Sequence, residues 1–194
     1  MNMGGALGDL SWLDAGEVPM VSFQAPHDPF APYETGVLIV PTTNELVVEV
    51  SGAHDVHEAL NTALASNVND VFANAGLNDA YTAQAIANGN NGWDGLYPVR
   101  NSYVNGTPTQ PYDGSPWAWW DVATVQAVDA ANGTTIAATQ LTLNPNMGPT
   151  EALAYIDTIQ GYTAPRLALA MDLVGTAGCT DEDACNYNAI ATND

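Results

Sequence analysis

The sequence predicts an α/β fold. Two short apolar, β-branched segments, "VPMVSF" at 18–23 and "LVVEVSG" at 46–52, have the composition of buried strands. Between and after them lie segments of helical period, the clearest at 55–66 and 148–162. With 194 residues and 46% apolar content, the chain is long enough for one domain with a real core, or for one domain plus a small appendage.

The first strand, 18–23, runs into "QAPHDPFAPY", a His-Asp pair held among three prolines. An acidic residue in the loop leaving the C-terminal end of a parallel strand is where open α/β sheets keep their chemistry. The alternative is a Pro-rich surface turn containing an Asp. "GVLIV" at 36–40 is a second strand, the "PTTNE" segment a turn, and 46–52 the strongest strand signal. The helix at 55–66 takes Asp55 as its N-cap, with Glu58 three residues on and Val56, Ala59, Leu60 and Ala63 on one face. Asn78 caps a further helix at 78–88.

From Gly89 to Pro116 the period disappears into a long loop dense in Gly, Asn and Pro. Its aromatics, Trp93, Tyr97, Tyr103 and Tyr112, argue against disorder. Helices follow at 115–132, at 148–162 with Pro149 in its first turn and a stripe of Ala152, Leu153, Ile156 and Ile159, and at 164–175. Residues 1–175 form one domain, and 176–194 a separate acidic tail.

Charge excludes whole classes of partner. There are 22 acidic residues against two basic ones, Arg100 and Arg166, for a net charge of −20. Nucleic acid requires Lys and Arg against phosphate, and anionic membranes are excluded on the same ground. No stretch approaches 18 consecutive apolar residues, so no membrane insertion is expected. Carboxylates without counter-ions repel one another, and salt screens that repulsion. The melting temperature is therefore expected to rise from dilute buffer to molar salt; equal values would contradict it. The N-terminus has no positive segment and no long apolar run of the secretory type.

The stretch "VPMVSFQAPHDPFAPYETG" resembles a pattern of secreted α/β-hydrolases, including carboxylesterases and lipase-like enzymes. There a P-hydrophobic-S-F strand is followed by H-G-T-x-D-x-x-V-P-Y. The acidic member of the family's triad falls on Asp28, and Pro32 and Tyr33 match its Pro-Tyr. Gln24 and Ala25 depart from it, standing where the family often has His and Gly. "GGALGDLSWLDAGEVP" resembles the segment leading into that strand, and "SPWAWWD" and "AYIDTIQGYTAPRLALAMDL" resemble C-terminal helices of large bacterial members. The resemblance covers about residues 1–175 and implies the C-terminal portion of a hydrolase sheet with flanking helices.

In that family the order is Ser, then Asp or Glu, then His. The acid orients the imidazole and stabilises its protonated form. No G-x-S-x-G elbow occurs, and Ser11 and Ser22, the only serines before Asp28, lack flanking glycines. The resemblance thus implies a chain that begins in the middle of such an enzyme, with Met1 internal and the nucleophile upstream. The family often carries its His in a later G-H motif, but no His follows His57. His54, directly after the 46–52 strand, is the candidate base and His57 its substitute; the alternative is a residue satisfying backbone groups at a helix start. His27 is a loop residue.

Trp93, Tyr97, Trp117, Trp119 and Trp120 either line an acyl or sugar pocket or pack the long loop onto the domain. Cys179 and Cys185, spaced C-x5-C, form a small disulfide loop or remain free thiols, and with no His nearby do not suit zinc. The tail "GCTDEDACNYNAIATND" resembles the start of a Cys-rich module of secreted Bacteroidota proteins, which implies an extracellular or cell-surface location. Asp181, Asp183, Asn186, Asn188 and Asp194 offer oxygens to calcium without EF-hand spacing, and no cofactor is otherwise expected. Two functions remain: the acid-bearing portion of a secreted serine ester hydrolase, acting on an ester substrate once joined to its nucleophile, and a non-catalytic secreted binding module on a degenerate hydrolase scaffold.

Overall fold

The computed structural model describes residues 1–28, 31–40, 43–63, 68–100, 103–104, 107–108, 122–143 and 148–173. The readings made on Tyr112, Trp117, Trp119, Trp120 and the whole Cys-containing tail lie outside the described residues. The described residues mix helix and strand in small sheets and form no barrel. No described helix is long and apolar enough to cross a membrane.

A three-stranded parallel sheet runs in the order β1 (Asn2–Met3), β2 (Ser22–Gln24), β5 (Leu96–Pro98). Ser22 pairs with Asn2 on one side and Leu96 on the other. β2 starts four residues later than its apolar run suggests. Val18 is 80% exposed, and the Met20 N–H goes to the Asn69 side chain instead of a strand neighbour. Pro98 has no N–H to give, which an edge strand tolerates.

The pleat of β2 divides the layers. Ser22 and Gln24 face α1 (Ala53–Glu58), bonding to His57 and to the Ala53 amide. Val21 and Phe23 face the other way, into a core with Phe72 of α2 (Asp70–Ala75), Ala85 of α3 (Ala80–Ala87) and Tyr97. Tyr162 of α6 (Pro149–Ala170) completes it, its ring edge-on to Phe23 at 5.7 Å and to Tyr97 at 5.0 Å. A second cluster, Val56, Leu60 and Val68, covers the α1 side together with Leu7, Leu10, Leu13 and Met20. Helices on both faces of a parallel sheet are the layer solution for strands that are buried throughout.

Several elements differ from their sequence reading. The strands at 36–40 and 46–52 are real, as β3 (Thr35–Ile39) and β4 (Leu46–Ser51), but they pair antiparallel as a separate two-stranded ribbon. Among the described residues, the Leu7–Ser51 bridge ties it to another strand-like segment. The 55–66 helix begins at Ala53 with Gly52 as N-cap and passes into a wider π turn over Ala59–Ala63. Asp79, not Asn78, caps α3, accepting from the amides of Tyr81 and Thr82. Two short strands, β6 (Tyr103–Val104) and β7 (Thr107–Pro108), pair within the long loop.

α4 (Val122–Asn132) is followed by α5 (Ile136–Leu143), which the sequence reading lacks. Asp129 joins the two: from within α4 its carboxylate accepts the Ile136 and Ala137 amides at the start of α5. The segments read as two helices at 148–162 and 164–175 are one helix, α6, that continues through Pro165. Gly161 does not end it. A Cβ there would enter the ring of Tyr81, so glycine lets α6 approach α3 closely. Arg166, just past the proline, holds the second half down through three hydrogen bonds and its ion pair with Asp94. That anchoring outweighs the helix bond a proline removes.

Candidate functional site

The chain leaves β2 at the C-terminal end of the sheet and turns at once. The Asp28 amide donates to the Ala25 carbonyl at 3.2 Å, and the Asp28 carboxylate accepts the Ala31 amide at 3.1 Å. Asp28 is therefore held in the loop off the central strand, as its position after 18–23 predicts, and it stabilises the turn it sits in.

Gln24 organises the surroundings. Its side chain is completely buried. The Nε2 amide donates to the carbonyls of Ala31 (2.9 Å) and Pro32 (2.8 Å), and Oε1 accepts the Ala53 amide at 2.9 Å. One amide side chain thus satisfies three backbone groups on two segments, a role that requires both a donor and an acceptor. Gly52 permits the contact. A Cβ there would overlap the carbonyls of Pro32 and Tyr33. Further backbone bonds, Gly52 to Glu34 and His54 to Tyr33, seat the helix start on the loop.

His54 occupies the first turn of α1 at the same end of the sheet as Asp28. Its ring lies 5.4 Å from the Tyr33 ring and edge-on to Trp93 at 4.8 Å. Nδ1 is 2.8 Å from Asp55 Oδ1, and Nε2 is 3.0 Å from the Asn91 amide nitrogen. A carboxylate only accepts, so with Asp55 ionised the imidazole proton sits on Nδ1 and Nε2 accepts from Asn91. Asp55 also accepts from the Thr35 hydroxyl at 2.6 Å. Burial raises the Asp55 pKa, but the bonds from His54 and Thr35 outweigh it and hold the carboxyl below its ordinary value.

The expected Asp28–His54 pairing is therefore not what the structure shows. Both His54 nitrogens are engaged by Asp55 and Asn91, and Asp55 is the acid that orients the ring. Asp55 is not the helix cap either, because the helix starts two residues before it. The adjacency of His54 and Asp55 is visible in "SGAHDVHE", but helical geometry turns neighbours about 100° apart, which argues against reading them as partners. Gln24, Asn69 and Asn91 carry no local sequence signal, since each acts across long sequence separations.

His57 is placed elsewhere. It points under the sheet, fully buried, with Nε2 2.9 Å from Ser22 Oγ and Nδ1 3.4 Å from the Asn69 amide nitrogen. Asn69 in turn accepts the Met20 amide and donates to the carbonyls of Met20 and Asp94. Burial lowers the His57 pKa to about 3. A neutral imidazole sealed between Ser22 and Asn69 tethers α1 to the strand and is shielded from any substrate. Ser22 is equally buried, inside the sheet ladder.

Among the described residues one group offers a nitrogen and two carboxylates within 4.8 Å of one another: His54, Asp55 and Glu58. A divalent cation taking Nδ1 there would have to displace the Asp55 oxygen that now accepts from His54. The bonds present make this a hydrogen-bonded His-Asp pair more than a metal cradle. No protein-family model matches the chain, and no match to it was found among curated proteins or solved structures.

Proposed function

We propose that the chain carries the acid-bearing portion of a secreted serine carboxylic-ester hydrolase site, with Asp28 and His54 as its titratable members. The supporting observation is positional. Asp28 leaves the C-terminal end of the central strand of a parallel, helix-covered sheet, and Gln24 ties the same loop to the turn that presents His54. Ligands of open α/β sheets sit outside that strand end. His54 has the proton arrangement a general base needs, Nδ1–H toward a carboxylate and Nε2 accepting. Asn91 must yield Nε2, and Asp28 must replace Asp55 at Nδ1, before Asp28 and His54 can serve as acid and base.

The nucleophile is assigned to a G-x-S-x-G segment joined to this chain. The purified chain alone is then expected to leave p-nitrophenyl butyrate intact, because no acyl-enzyme can form. Joined to such a segment it should hydrolyse the ester, with kcat falling about 10²–10⁴-fold in Asp28→Asn and in His54→Gln. Hydrolysis by the chain alone, lost in Asp28→Asn, would overturn the split between acid and nucleophile.

The engagement of both His54 nitrogens within the chain favours a second reading, a non-catalytic binding module on a hydrolase-like scaffold. A reading frame that carries no serine elbow ahead of β1 would select it.

A further inference from the structure

The Leu7–Ser51 bridge marks a strand edge that is started and not continued. The Leu7 amide donates to the Ser51 carbonyl and the Ser51 amide to the Leu7 carbonyl, each at 2.8 Å. Ser51 therefore aims both backbone groups away from β3. The bond back toward β3 falls on the next position, from the Gly52 amide to the Glu34 carbonyl. Bonded and non-bonded pairs alternate along an antiparallel ladder, so Glu49, opposite Val37, also turns its N–H and C=O outward. The rung that would follow Leu7–Ser51 joins Asp9 to Glu49, and among the described residues it does not form. Asp9 instead caps a short 3₁₀ turn, Leu10–Trp12, accepting the Ser11 amide at 2.8 Å. A cavity of about 270 Å³ opens at this point, between residues 8–10 and residues 49–51.

The side chains along this edge say what fits it. Glu49 shares one face of the ribbon with Ser51 and Thr35, and Asp9 lines the same cavity. Neither carboxylate meets a cation among the described residues. Val48 lies on the other face and is 43% exposed, and Leu46 and Val47 beyond it are 70% and 58% exposed. An unpaired strand edge is a template for another strand. A strand that answers both faces carries cations on one side and apolar residues on the other, which is a sequence period of two. A second copy of the chain answers neither requirement well, since it brings its own Asp9 and Glu49 and a net charge of −20 to the same edge.

We propose that the outer edge of β4 accepts an extended segment of another protein, with alternating basic and apolar residues, which adds a strand beside residues 46–49. The cations of that segment meet Glu49 and Asp9, and its apolar residues cover Val48. This proposal stands independently of the hydrolase reading.

The experiment is a titration of the full chain with the peptide acetyl-KVKVKVK-amide at about 0.15 M salt, which screens general attraction to the acidic surface. Calorimetry gives the affinity, and amide hydrogen exchange gives the site. The control is acetyl-KKVVVKK-amide, of the same composition and charge but without the alternation. The alternating peptide is expected to bind saturably and to slow exchange at the Glu49 amide at least about tenfold, as a new backbone bond does. The control peptide should bind at least about tenfold more weakly. Glu49→Pro removes the outward N–H and leaves the bonds to β3 in place, and should weaken the alternating peptide by a similar factor. Glu49→Lys keeps the backbone and inverts the charge, and should weaken it as well, so the site stays testable even if the proline variant folds poorly. The proposal is overturned by absence of saturation at millimolar peptide, by equal affinity for the control, by unchanged Glu49 exchange at saturation, or by undiminished binding in Glu49→Lys. A dimer of the chain alone with a protected Glu49 amide would assign the edge to a second copy and overturn it too.

Discussion

Replacing Arg166 with Met is expected to lower the unfolding free energy by about 3–5 kcal/mol. Arg166 is completely buried. Its Nε and one terminal nitrogen reach Asp94 Oδ1 at 2.7 and 2.6 Å. The other terminal nitrogen donates to the Tyr162 carbonyl at 2.8 Å, and the Asp94-facing one also reaches the Thr82 hydroxyl at 3.1 Å. The guanidinium carbon sits 3.5 Å above the Tyr162 ring. One side chain therefore joins α3, the approach to β5 and α6. Met keeps much of the volume, so the loss comes from polar groups left without partners more than from a void. Lys should not rescue it, because a single ammonium cannot span three acceptors in the planar fork that Arg provides. Urea unfolding followed by circular dichroism measures the effect. In the double variant with Asp94→Asn the loss should be smaller than the sum of the singles, as for directly coupled groups. A loss below about 1 kcal/mol would show that water replaces the guanidinium at little cost.

Acid is expected to destabilise the protein well before its carboxylates titrate, and His57 is the cause. The unfolded chain takes up a proton on this imidazole near pH 6.5, whereas burial delays uptake in the folded chain to about pH 3. Between those values the unfolded state binds more protons. Stability from this residue is complete above about pH 6.5 and declines as pH falls toward 3, with a limiting slope of about 1.4 kcal/mol per pH unit. Relief of carboxylate repulsion acts in the opposite sense, but mainly nearer the carboxylate range. Urea unfolding between pH 6.5 and 5 should therefore show the decline in the wild type, and a shallower one in His57→Gln, which keeps a donor and acceptor near Ser22 and Asn69. Imidazole NMR shifts give a second reading. The His57 ring should stay neutral down to the pH at which the protein unfolds. A His57 ring that titrates near pH 6.5 in the folded protein would contradict the assignment.

What the sequence makes legible follows from where its periodicities survive. β3 and β4 stand out because each concentrates four apolar or β-branched residues between turn residues. Their antiparallel pairing is not legible in the same way, since apolar runs do not encode whether neighbours belong to one sheet or two. β5 is hidden: Leu96, Tyr97 and Pro98 lie in a Gly- and Asn-rich stretch whose composition signals loop, yet all three are buried beside β2. Pro165 suggests a helix break on local grounds, and only the tertiary bonds of Arg166 show why the helix continues. At the candidate site, the position of Asp28 could be read from the strand before it. The partner of His54 could not, because Asp55 is its immediate neighbour in sequence and reaches it through side-chain torsion. His57 is legible as a helix residue but not as a buried one, because its burial depends on Ser22 and Asn69, 35 and 12 positions away.

The Gln24 side chain grips the loop that carries Asp28 with its nitrogen and the turn that carries His54 with its oxygen. Those two segments consequently have a common fulcrum. Any force that draws the loop outward is transmitted to the helix start, or else ruptures the bonds of a buried side chain. The loop and the helix start are geared together, and a displacement of one is carried to the other through a single amide.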